Sequence, residues 1–233
     1  MGCCNEKTTG KVSGTSQLIV SEEEELIKEC EKSIPFTNTH ISKIIQVFSP
    51  HKNKEHWHKP LLDSLLLNLG FSEQSLKDPD CYEYKFIKAL QNPKRLYSYH
   101  TILLSALLLS PGNSIEKSRV LFELYDKTKQ DKLDNNEVQN MISEIIFFSV
   151  KVIPMIAVND EDESQDKGLS SVKVKKHLIV MLRKENQLIG RLTNVLMRES
   201  RHISRSDFIT RVNEEPFLQA LLWSYLIRLA LLE

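Results

Sequence analysis

Residues 113–146 read NSIEKSRVLFELYDKTKQDKLDNNEVQNMISEII, and the spacing of their apolar side chains decides the fold class. Val120, Leu121, Leu124 and Tyr125 recur at helical intervals, and Val138, Met141, Ile142 and Ile145 do so again. Between the two stripes lies a polar, charged stretch, 126–137, interrupted only by Leu133. Asn113 followed three residues later by Glu116 predicts a capping box at the start of the first helix. The stretch therefore predicts helix, twelve-residue loop, helix.

That loop resembles the calcium loop of an EF-hand. Asp126 stands at position 1, oxygen-bearing side chains at 3 and 5, Leu133 at 8, and acids at 9 and 12. Calcium takes about six to eight hard oxygen ligands, and such a loop wraps them around one ion. The resemblance implies that Asp126, Thr128 and Gln130 give side-chain oxygens and Lys132 its backbone carbonyl. Asp134 would then act through water, Glu137 would bind with both carboxylate oxygens, and Leu133 would anchor a short bridge to a neighbouring loop. Three departures stand beside these matches. Position 6, where the backbone needs positive φ and glycine is usual, is Asp131. Positions 3 and 5 carry no charge, and Lys127, Lys129 and Lys132 make the loop cationic. Two expectations follow, a calcium site or a hand that keeps its scaffold without the metal.

The 233-residue chain is long enough for a sizeable core in one domain or two lobes. With only 7 Gly and 8 Pro and abundant Leu, the expected class is all-α. Equal numbers of acids and bases give a formal net charge of zero, so no global field attracts nucleic acid. Cys3, Cys4, Cys30 and Cys81 form neither a disulfide framework nor a zinc ribbon, and no secretory signal is present, which predicts a cytoplasmic protein. There is no glycine-rich phosphate loop, nucleophile elbow or HExxH, so no enzyme is expected.

Residues 1–20 predict a flexible tail. Gly2 is a myristoylation candidate and Cys3 and Cys4 are palmitoylation candidates, although Glu6 replaces the usual Ser or Thr. The pair of signals would suffice for stable anchoring on the cytoplasmic membrane face; the alternative is an ordinary tail. Residues 21–32, SEEEELIKECEK, predict a capped helix whose acids meet the positive end of its dipole. Helix pairs are expected at 40–48 with 60–71, and at 80–90 with 97–109. His51, His56 and His58 between the first two invite a zinc reading, but a Lys-rich loop of this kind is ordinarily just solvated. The anchor of the second loop falls near Leu96 or Tyr97, about 36 residues before Leu133, and Trp57 precedes it at a similar interval. After Ile146 the period breaks, residues 156–170 predict an acidic linker, and a long helix is expected at 178–197. Ile203 would be the anchor of a fourth loop, with Leu196, Arg198 and Ser200 at positions that rule out calcium there.

Residues 36–222 resemble the EF-hand superfamily of the calcineurin B and neuronal calcium sensor type, on LLSALLLSPGNSIEKSRVLFELYD, the loop, and ISRSDFITRVNEEPFL. They are also similar to the EF-hand region found ahead of TLDc domains. The resemblance implies an all-α fold of EF-hand pairs in two lobes, 21–110 and 111–233, with an insertion at about 147–177. It implies a membrane-tethered regulatory adaptor, calcium-responsive through 126–137, that offers an apolar groove to a protein partner. A calcium-independent structural scaffold is the rival. The last stretch, PFLQALLWSYLIRLALLE, is too short and too interrupted to span a membrane. Gln219, Ser224 and Arg228 do not gather on one face, so it is expected to dock as a helix into the body of the protein.

Overall fold

The computed structural model describes residues 21–158 and 171–232. Ser21 starts helix α1 (Glu22–Lys32) by accepting the Glu24 N–H at 3.3 Å on its hydroxyl. Helix α2 (Ile41–Phe48) and helix α3 (Lys59–Leu67) flank strand β1 (His56–Trp57). Helix α4 (Tyr82–Ala89) and helix α5 (Tyr99–Leu109) flank strand β2 (Tyr97–Ser98). The pattern repeats with helix α6 (Ser114–Tyr125), strand β3 (Lys132–Asp134) and helix α7 (Asn135–Phe147). After helix α8 (Ile153–Ile156) come helix α9 (Ser171–Met197), strand β4 (His202–Ser204) and helix α10 (Arg205–Glu214). Helix α11 (Ser224–Leu232) closes the described chain. The protein is all-α, its short strands serving only to tie loops together.

Those ties fall on the anchors that the sequence singled out. Trp57 pairs with Tyr97 and Leu133 with Ile203, both antiparallel. All four side chains are buried, so each bridge also contributes to the core. One continuous apolar core runs from Ile27 in α1 to Leu231 in α11. In its first half Phe36 meets Phe48, Phe71 and Phe86 edge-on, and Phe86 meets Phe148 from the second half.

Several boundaries differ from the sequence reading. Asn113 accepts the Ile115 N–H at 2.7 Å, so no reciprocal box forms with Glu116, which instead lies 3.9 Å from His40. The period break after Ile146 is not the end of a helix. Residues Phe148–Val152 form a π-helix that joins α7 to α8, and its wider turn shifts the phase of the apolar stripe. Residues Asn135–Ile156 are long and apolar enough to cross a membrane by length and composition, but 61% of that window is buried within the protein. Helix α9 already runs from Ser171 rather than from near 178, and Val174 in its added turns is buried. The C-terminal stretch is not one helix from Pro216. Residues Leu218–Leu222 form a 3-10 turn, the chain extends at Trp223 (φ −143°), and α11 starts afresh. The expected tail, with Gly2, Cys3 and Cys4, and most of the expected acidic linker lie outside the described residues.

Candidate functional site

The 126–137 loop is held closed by its own hydrogen bonds. Asp126 caps the end of α6 and is 4% exposed. One of its carboxylate oxygens accepts the Gln130 N–H at 3.0 Å and the other the Asp131 N–H at 2.9 Å. Lys129 and Asp131 take positive φ, 54° and 56°, which is the conformation that the loop pattern requires near position 6. Asp enters that region more readily than most residues because its short polar side chain can hydrogen-bond locally. At the far end, Asp134 and Glu137 form a reciprocal capping box. The Asp134 carboxylate accepts the Glu137 N–H at 2.8 Å, and Glu137 accepts the Asp134 N–H at 2.9 Å.

These bonds bear directly on the expected ligands. Asp126, Asp134 and Glu137 lie on one loop, but each has a carboxylate oxygen engaged by the backbone. Thr128, Gln130 and Lys132 are exposed, and Lys132 pairs with Ser204 in the bridge. Arg205 adds a further cation, with one guanidinium nitrogen 2.9 Å from Asp131 and another 3.0 Å from Glu123. Among the described residues no group of three or more His, Cys, Asp or Glu side chains is placed to hold a metal. In this arrangement the Glu137 carboxylate turns back onto the Asp134 N–H, and Asp126 holds the Gln130 and Asp131 N–H groups. The three histidines do not converge either, for His51 packs edge-on against Trp57 while His56 bonds to the Glu55 carbonyl.

A second constellation lies under the C-terminal segment. Helix α11 packs on α7, the π-turn and α9, while the 3-10 turn before it packs on α6 and α10. Leu218, Leu221, Leu222, Ile227 and Leu231 fill the groove between them, all 0% exposed. Arg228, also 0% exposed, enters the same groove. Its Nε donates to Glu24 at 2.7 Å, and its Nη1 donates to Glu31 at 2.8 Å and to Ser224 at 2.9 Å. A longer bond from Nη1 reaches the Ser149 carbonyl in the π-turn at 3.3 Å. His177 of α9 stands 3.4 Å from the other Glu24 oxygen. Burial opposes the guanidinium charge, but Glu31 and Glu24 outweigh it and hold Arg228 more firmly protonated than usual. Arg228 Nη2 and Ser149 Oγ are buried without a partner, so the cluster is not fully satisfied.

This cluster escaped the sequence reading, which treated Arg228 as an interruption and the acids of α1 as dipole partners. The available signal was spacing. Glu24 and Glu31 are seven residues apart and therefore share a helix face, as do Ser224 and Arg228 at four.

A cleft of about 750 Å³ is lined by Tyr99, His100, Leu104, Lys127, Glu144 and Phe147 among others. Glu144 accepts from Tyr125 at 2.6 Å and pairs with His100 at 2.8 Å. Burial raises Glu144, but the bonds from His100 and Tyr125 and the charges of His100 and Lys127 hold it below the ordinary range. Lys52, Lys127, Glu55 and Glu144 all line the cleft, so its charges are mixed.

Compared with known proteins, the chain matches no family model, and no curated protein matches it.

Proposed function

We propose that this chain is an EF-hand adaptor that keeps its fold without calcium and acts by binding a helix of a partner protein. The antiparallel bridges between successive helix–loop–helix units support the hand reading, as does positive φ at Asp131. The observation that carries the function is the C-terminal segment, residues 218–232, seated in an apolar groove between α6, α7, α9 and α10. A groove filled by a short segment of the same chain is one that a similar helix from elsewhere fits. The adaptor reading places the protein on the cytoplasmic membrane face through acylation of Gly2 with Cys3 and Cys4.

Truncation after Glu215 tests the groove. Removing five buried Leu and Ile side chains should lower the melting temperature and expose a surface that binds an apolar dye, since each buried aliphatic contributes about 1.5–3 kcal/mol. A truncated protein of unchanged melting temperature and no dye binding would overturn the reading. For the tether, Gly2→Ala should move the protein to the soluble fraction of cells, and unchanged fractionation would remove that part of the proposal.

A further inference from the structure

The occupant of the C-terminal groove is not simply apolar, and that bears on what could replace it. Glu24 is 0% exposed and Glu31 7%, and both point at one guanidinium. Ser149 contributes a carbonyl on the same side, so three acceptors converge where Arg228 enters. His177 faces Glu24 from α9. When α11 leaves, two carboxylates lose their guanidinium partner, and His177 stands 3.4 Å from Glu24. An uncompensated buried charge is strongly unfavourable, much more so than the loss of a surface pair. Any helix that takes the place of α11 therefore has to bring a cation to the same depth.

We infer that the groove selects a partner helix with apolar residues at the spacing of Ile227 and Leu231 and a single arginine in the register of Arg228. The selectivity follows from geometry as well as charge. Arg228 reaches Glu24 through Nε and Glu31 through Nη1, so it spans two carboxylates from two directions. A lysine ammonium is a compact point charge at the end of a flexible stem and cannot reproduce that span. Ser149 Oγ, buried in the π-turn without a partner, marks where an incoming helix can satisfy more of the cluster than α11 does. This inference rests on the adaptor reading above, because it names the kind of helix the groove takes.

The test uses the full-length protein and three synthetic peptides. One has the sequence of residues 216–233, and the others carry Arg228→Leu or Arg228→Lys. Hydrogen exchange of amides 224–232 reports displacement of the protein's own helix. The arginine peptide should lower their protection at concentrations about 30-fold or more below those the leucine peptide needs, with the lysine peptide between them. In protein carrying Glu24→Gln with Glu31→Gln, that preference should shrink to within about threefold. If this variant does not fold, the three peptides against the wild-type protein still decide the matter. Equal displacement by the arginine and leucine peptides would overturn the charge selection and leave the adaptor reading standing. Failure of every peptide to displace the helix at saturation would overturn both, because the groove would then be a permanent core.

Discussion

Lys117 lies wholly inside the protein, on the face of α6 that meets the C-terminal segment. Its amine donates to the Ser110 carbonyl at 3.0 Å and sits 3.2 Å from the centre of the Trp223 ring. The ring attracts an ammonium, but burial outweighs it and brings the lysine down to about 6 from its ordinary 10.5. The sign of the linkage follows. Between those two values the unfolded chain holds a proton that the folded chain lacks, so folding stability rises with pH and is lost as pH falls towards 6. The slope is at most about 1.4 kcal/mol per pH unit. Lys117→Met removes the titrating group and keeps much of the volume. Its stability should exceed wild type at pH 6.5, by about 1–3 kcal/mol, and the advantage should decline steadily by pH 8.5. Urea unfolding of both proteins across that range measures it. A difference that does not change with pH would mean that Lys117 is not the group responsible.

The 126–137 loop shows how far one element can be read from its letters. Leu133 as a bridge anchor and Asp131 at positive φ were legible, because a fixed loop length and a steric requirement leave few alternatives. The state of the acids was not. Asp134 and Glu137 sit three apart, which is the spacing of positions 9 and 12 and also that of a capping box, so spacing alone leaves the choice open. The π-turn after α7 was likewise invisible, since its residues are as apolar as those of the helix it continues. Calcium at about millimolar concentration should leave the melting temperature unchanged, with the loop already closed by Asp126 and the capping box. Glu137→Gln should be near neutral, because Gln serves at that position of a capping box, whereas Asp134→Ala should cost about 0.5–2 kcal/mol. A calcium-induced rise that Glu137→Gln abolishes would establish a calcium site and the responsive reading instead.

Across the whole molecule, the bond between Arg228 and Glu24 joins residues 204 positions apart and ties the first described helix to the last. Helix α1 reaches the rest of the protein through the 3-10 turn Pro35–Asn38, α8 and α9, while α11 rests on α7, the π-turn and α9. Both therefore lie on α9 and share one buried charge cluster. Breaking one member leaves the others buried and uncompensated, at a cost of about 3–5 kcal/mol. That cost falls on both helices, because Arg228 of α11 is paired with both Glu24 and Glu31 of α1. The two ends of the chain should then open as one cooperative unit, of the kind that native-state exchange resolves. In wild-type protein under mild denaturant, amides of 22–32 and 224–232 should exchange with the same opening free energy. Arg228→Met should lower both by the same amount while leaving α5 and α6 protected. Joint replacement of Arg228, Glu24 and Glu31 by Met, Leu and Leu should restore much of the protection, since an apolar cluster of similar volume leaves no charge stranded. Loss of protection confined to 224–232 in Arg228→Met would show that α1 is held by its own packing and that the two ends are independent.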